Sequence, residues 1–146
     1  MESTSLGLER FVKAQERVYS DVLAELSAGR KESHWMWFVF PQIRGLGRSP
    51  NAEFFGIQDI NEARGYLIHP LLGFRLLECT KLVLRHRERS ARSMFGFPDN
   101  LKLCSSMTLF REVSPNPDNV FRDVIDNFYA GKSDQQTVRL LIDART

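Results

Sequence analysis

Apolar residues recur at three- and four-residue spacing along most of the chain, the pattern of helices that each bury one face. In LERFVKAQERVYSDVLAELSAGR the stripe runs Leu8, Phe11, Val12, Val18, Tyr19, Val22, Leu23 and Leu26, and Gly29 stands where a left-handed cap ends a helix. One polar residue interrupts it: Gln15 lies seven residues after Leu8 and seven before Val22. A buried amide without partners costs roughly 1–3 kcal/mol. Gln15 is therefore expected to bond to backbone of the aromatic segment that follows, or to contact a ligand.

The same spacing predicts further helices. SPNAEFFGI places Pro50 at a first helical position. DINEARGYLI opens with Asp59 and Glu62 at capping-box spacing. HPLLGFRLLECTKLVLRHRE starts at Pro70, with His69 as its cap, and carries two adjacent rows: Leu72, Leu76, Cys79 and Val83, and Gly73, Leu77, Thr80 and Leu84. So wide an arc predicts a central helix, with Arg75 at its edge and Gly73 admitting the close approach of another element. SARSMFGFPDN reads as a helical turn closed by Gly96 and Pro98. LKLCSSMTLFREV has a stripe of Leu101, Cys104 and Thr108 flanked by Leu103, Met107 and Phe110. SPNPDNVFRDVIDNFYAGK breaks at Pro115 and Pro117, caps at Asp118 and ends at Gly131, and SDQQTVRLLIDAR opens with a Ser133/Gln136 capping box. No alternating strand pattern or Asn-Gly hairpin signal occurs. WFVF is strand-like in composition but has no partner strand. The expected fold is all-α, about seven to nine helices with several of them short, in one domain over residues 1–146.

Composition adds an aromatic-rich core and excludes some partners. The 146 residues suit one domain, and eleven Phe against three Tyr and two Trp make the core bulky. Twenty basic and 18 acidic residues leave a net charge of +2, too balanced for a polyanion partner, so nucleic-acid binding is not expected. The basic run RHRERSAR reads as a solvated helix end. Cys79 and Cys104 have neither CxxC spacing nor a nearby ligand set, so no metal or other cofactor is expected. Both read as small buried residues in a reducing compartment. The opening MESTSLGLERF lacks an apolar signal region, and the run Trp35–Pro41 falls far short of the roughly 20 residues of a membrane span. The expectation is a soluble, cytoplasmic protein without a membrane partner.

Candidate chemistry sits in two segments. SHWMWFVFPQIRGLG crowds His34, Trp35, Trp37, Phe38 and Phe40 into one short stretch, more rings than one face can hide. They plug a core or wall a binding site. The RGLGRS that follows offers Gly45 and Gly47 for tight turns with Arg44 and Arg48 for charge, a combination that holds anions. It lacks the Gly-Lys-Ser ending of a P-loop. In DNLKLCSSMT, Lys102, Ser105 and Ser106 form a polar strip beside Thr108, suited to an anion or sugar, or to local backbone bonds. His69 and His86 have no triad context, and Asp123 with Asp126 reads as a solvated helix face.

Taken in order, RFVKAQ, KESHWMWFVFPQIRGLGRS, EARGYLIHPLLGFRL, MFGFPDNLKLCSSMTLF and FRDVIDNFYAGKSDQQTVRLL resemble a bacterial all-helical domain family of unknown function, over about residues 8–141. Some members carry the label calpastatin, but an inhibitor of calpain is a disordered Pro- and Lys-rich chain, whereas this sequence encodes a core. The resemblance marks Gln15, His34, Trp35, Trp37, Gln42, Gly45, Gly47, Ser49, His69, Arg75, Lys102, Ser105 and Thr108. Many of these are polar or aromatic, the composition of a site wall. The layout is also loosely similar to small helical families that act on ADP-ribose-containing molecules, a fold-level analogy.

Two readings follow. In the first, the domain binds a small anionic or nucleotide-like ligand, related to ADP-ribose or NAD. Trp35, Trp37 and Phe40 form its walls, and Gln15, His34, Gln42, Arg44, Lys102 and Ser105 its polar contacts, with Arg44 and Lys102 holding phosphate or carboxylate and Arg75 and Thr108 added by the resemblance. If it is an enzyme, His34 or Lys102 handles protons in a hydrolysis or transfer. In the second, it is a non-catalytic protein-interaction or structural domain.

Overall fold

The computed structural model describes residues 7–145. The ends of the 1–146 domain assignment and most of the segment read for a signal peptide lie outside them. The first apolar stripe folds as two helices, α1 (Glu9–Glu16) and α2 (Tyr19–Ala28). At their junction the Val18 amide bonds back three residues, to the Gln15 carbonyl at 3.1 Å, a tighter turn than the α-helix makes. Gly29, at φ 72°, ends α2 as expected. Its amide reaches the Leu26 carbonyl and that of Arg30 the Glu25 carbonyl, the paired bonds of a Schellman cap.

The strand-like WFVF is instead a single helical turn, α3 (Met36–Val39). After it the chain runs extended past Ile57. The Ile57 amide donates to the Gln42 carbonyl and the Arg44 amide to the Ile57 carbonyl, each at 2.8 Å. This parallel bridge between Ile43 and Ile57 is the one β pairing among the described residues.

Helix α4 (Pro50–Phe54) is capped by the Ser49 hydroxyl, and α5 (Ile60–Ile68) by Asp59, which accepts the Glu62 amide at 2.9 Å. The Glu62 carboxylate does not close the expected capping box on Asp59. It accepts from the Gln58 amide at 2.7 Å and pairs with Arg10 at 2.7 Å, which satisfies a carboxylate only 2% exposed. Helix α6 (Leu72–Leu84) starts on His69, whose Nδ1 accepts from the amides of Leu71 and Leu72. Gly73 lets α5 and α6 meet: a Cβ there would stand 2.0 Å from the Leu67 carbonyl oxygen.

Next come α7 (Ala91–Phe95), α8 (Asp99–Val113), α9 (Val120–Phe128) and α10 (Gln135–Arg145), so the described residues form ten helices. The all-α expectation stands, with the extra helix coming from the split of the first stripe. Two caps fall one residue later than expected. Asn119 caps α9 while Asp118 pairs with Arg122, and Asp134 caps α10 in place of Ser133. In each case the residue directly before the helix takes the cap.

Helix α8 is the centre of the domain and packs on α9, α10, α5 and α7, while α6 packs on α9, α5 and α2. Helix α8 buries Leu103, Ser105, Ser106, Met107, Thr108, Leu109, Phe110 and Val113. Of the expected stripe Thr108 is buried, whereas Leu101 is 53% exposed and Cys104 half-buried. Cys79 is buried as expected. Edge-on and tilted rings link Phe11, Tyr66, Phe110 and Phe121 through the core at centroid separations of 5.1–5.8 Å. No helix among the described residues is long and apolar enough to cross a membrane.

Candidate functional site

The bridge at Ile43 and Ile57 pins the loop after α3, and with it Gln42 and residues 46–49, against the first turns of α8 and the segment that joins α9 to α10. Between them lies a cavity of about 580 Å³. Trp37, Gln42, Arg48, Lys102, Ser105 and Asp134 supply its chemistry, and Leu46, Ala52, Pro98 and Leu101 its apolar lining.

Lys102 Nζ sits 3.7 Å from the centroid of the Trp37 ring, a cation–π contact. Its nearest carboxylate, Asp99, is 3.4 Å away, but the other oxygen of Asp99 is 2.8 Å from Lys31 Nζ. One carboxylate shared by two ammonium groups leaves positive charge in excess at this wall.

Across the cavity the Ser105 hydroxyl donates to Asp134 Oδ2 at 2.9 Å. Oδ2 also takes the Thr137 hydroxyl at 2.5 Å and the Thr137 amide at 3.3 Å. The Asp134 amide donates to the Thr108 hydroxyl at 2.9 Å, and Thr108 donates to the Cys104 carbonyl at 2.8 Å. Asp134 is thus held by backbone and side chain, while among the described residues its Oδ1 receives no protein donor. Cys104 lines the same cavity, but burial, followed by the charge of Asp134, pushes its thiol up to about 11. It is a neutral thiol at neutral pH, not an activated nucleophile. Burial likewise pushes up the Tyr129 phenol, which donates to the Asn100 carbonyl at 2.5 Å.

A second hollow of about 540 Å³, lined by Arg44, Gly45, Gly47, Arg48, Glu53 and Phe54, adjoins the first. Gly47 and Arg48 line both.

The structure brings Trp37, Gln42, Lys102 and Ser105 together in the cavity and puts Arg44 in the adjoining hollow. The other expected site residues lie elsewhere. Gln15, 1% exposed, donates to the Phe38 carbonyl at 2.7 Å and the Tyr66 hydroxyl at 3.0 Å, the backbone bond expected of it. Arg75 donates to Gln15 Oε1 at 3.3 Å and stacks 4.4 Å over the Tyr19 ring. Trp35 and Phe40 are fully buried, and the Trp35 indole donates to Glu25 Oε1 at 2.8 Å. Thr108 is buried beneath the cavity. His34 is exposed and does not belong to the cavity lining.

Asp134 and Tyr129 line the cavity without having been singled out in the sequence. The signal for Asp134 was its cap spacing to Thr137, which the adjacent Ser133/Gln136 pair duplicates. No group of His, Cys, Asp and Glu side chains among the described residues is arranged to hold a metal ion.

The model of a family described as protein of unknown function (DUF1810) matches residues 5–141. Among solved structures, the chain is similar to the crystal structure of the conserved hypothetical protein Rv1873 from Mycobacterium tuberculosis. Identity is 52% over 94% of this chain and 98% of that one, with a TM-score of 0.92. Comparison with curated proteins finds no match.

Proposed function

The chain belongs to the DUF1810 family of proteins of unknown function, and on that premise we propose that the cavity between α3 and α8 binds a small anionic or nucleotide-like ligand. The observation that carries this reading is the convergence of Trp37, Gln42, Lys102 and Ser105, from segments some sixty residues apart, on one cavity. Lys102 shares its carboxylate with Lys31, and Arg48 has no protein acceptor among the described residues. Positive charge therefore outweighs the single Asp134 in the wall and favours an anion. Trp37 offers an aromatic surface and Gln42 an amide that both donates and accepts. Ligands that join a ring to phosphate, ADP-ribose and NAD among them, match this mixture and are the first probes. Should the site be catalytic, Lys102 is the proton-handling group within it.

A second reading, a structural or protein-interaction domain, is favoured by one observation. Gln15, Trp35 and Thr108 satisfy their polar atoms entirely inside the protein.

A thermal-shift screen of nucleotides, NAD, ADP-ribose, sugar phosphates and metabolite carboxylates separates the two. A ligand at about 100 times its Kd adds roughly 2.7 kcal/mol of apparent stability. A shift in the native protein that is lost in Lys102→Ala supports the ligand site. A blank screen at high ligand concentration sinks it.

A further inference from the structure

We propose that the ligand carries a phosphoryl arm that crosses Gly47 into the second hollow, where Arg44 and Arg48 bind it. This rests on the reading of the first cavity as a ligand site. The two spaces share Gly47 and Arg48, and the wall between them at Gly47 is bare backbone. A Cβ there would press on the Ala52 side chain at 3.1 Å.

Both arginines are exposed, and among the described residues neither guanidinium meets a protein acceptor. Arg10 shows what a structural arginine looks like in this fold: it donates to Glu62 and to the carbonyls of Phe54 and Gly56. The backbone that carries Arg44 is nonetheless fixed. Its amide is held by the Ile57 carbonyl, and Gly56 lets it pack so closely that a Cβ on Gly56 would stand 2.9 Å from Arg44 Cα. A guanidinium on a pinned backbone loses less freedom on binding and matches phosphate oxygens with its paired N–H groups.

Glu53 is the one carboxylate in this hollow, and it forms no ion pair with either arginine. Two guanidinium groups against one carboxylate leave the hollow positive, whereas a phosphate monoester carries about −1.5 to −2 at neutral pH. At the other end, Asp134 Oδ1 is free to accept from a hydroxyl or amino group. A ligand with donors at one end and phosphate at the other is a nucleotide or a sugar phosphate.

The test is isothermal titration of matched pairs that differ only in phosphate: adenosine against AMP and ADP, and ribose against ribose 5-phosphate. The phosphorylated member of any pair that binds is expected to be at least about tenfold tighter. Arg44→Ala/Arg48→Ala should erase that preference without lowering the melting temperature, since neither side chain has a partner to strand. Glu53→Gln should strengthen it, and Lys81→Ala, outside both hollows, should leave it unchanged. Equal binding within a pair, or a preference that survives the double arginine variant, overturns the phosphoryl arm and leaves the cavity standing. No binding by any of these compounds to the native protein overturns the cavity as a nucleotide or sugar-phosphate site, and the arm with it.

Discussion

Trp35 and Trp37 are two residues apart and serve opposite surfaces. Trp35 is fully buried with its indole N–H on Glu25 Oε1 at 2.8 Å, while Trp37 is half-buried in the cavity wall under Lys102. Residues at this spacing on a helical turn do not share a face, so one aromatic segment is plug and wall at once. Trp35→Ala should cost about 3–5 kcal/mol of stability, the usual loss for a buried ring. Trp37→Ala should cost about 1 kcal/mol, because it removes a surface cation–π contact and some partial burial. Urea unfolding of the two variants checks this. Equal losses would make both rings core.

Gln15 is a hub of the core rather than of the cavity. Its amide nitrogen serves the Phe38 carbonyl and the Tyr66 hydroxyl, and its oxygen serves Arg75. Gln15→Leu keeps the volume and strands those partners, at a cost of roughly 1–3 kcal/mol. The unfolding midpoint should fall while the thermal-shift response to any cavity ligand persists. A normal midpoint with a lost response would make Gln15 a ligand contact.

What was legible in the sequence follows from how local each rule is. Gly29, Asp59, His69 and Pro50 act within their own turn, and the structure has them where spacing placed them. The partner of Gln15 was legible because a polar residue on an apolar stripe must bond to what packs there. The break at Arg17 and Val18 was not, since the apolar spacing continues through it. Neighbouring cap formers, Asp118 with Asn119 and Ser133 with Asp134, have the same chemistry, and the helix start alone chooses between them. The site was half legible for a related reason. Residue type marks Trp35 and Trp37 alike, and the partners that tell the two rings apart, Glu25 for the one and Lys102 for the other, lie elsewhere in the chain. Cavity members such as Asp134 and Tyr129 are joined to Lys102 by tertiary packing alone.

Glu25 makes stability depend on acid. Burial pushes its carboxyl up, but the Ser33 hydroxyl, the amides of Glu32 and Ser33 and the Trp35 indole outweigh that and hold it down at about 2, against an ordinary 4.5. A carboxyl with a depressed folded pKa stabilises fully above the unfolded value and loses that contribution as pH falls through the folded one. The loss should therefore fall between about pH 4.5 and 2. It should amount to about 1–2 kcal/mol once solvent screening of a partly exposed group is allowed for. Unfolding followed by tryptophan fluorescence across that range should show a steeper decline in the native protein than in Glu25→Gln. Parallel declines would assign the acid sensitivity to other groups.

Gly73 has a single structural task, and its substitution isolates it. The backbone φ at Gly73 is not in the left-handed region, so an alanine suits the helix and would ordinarily favour it by about 1 kcal/mol. Space decides against it. The added Cβ would stand 2.0 Å from the Leu67 carbonyl oxygen and 2.9 Å from the Leu67 carbonyl carbon, and backbone atoms cannot swing aside as a side-chain tip can. Helices α5 and α6 would have to separate, and both pack onto the shared core through Tyr66, Leu72 and Leu76. Gly73→Ala should therefore destabilise by about 1–3 kcal/mol or more, the cost of overpacking. Gly96→Ala makes a useful contrast: a Cβ there meets nothing within 4 Å, so its cost comes from positive φ alone. Comparing the two in chemical denaturation separates crowding from backbone strain. A Gly73→Ala protein as stable as the native one would show that α5 and α6 do not meet at this glycine.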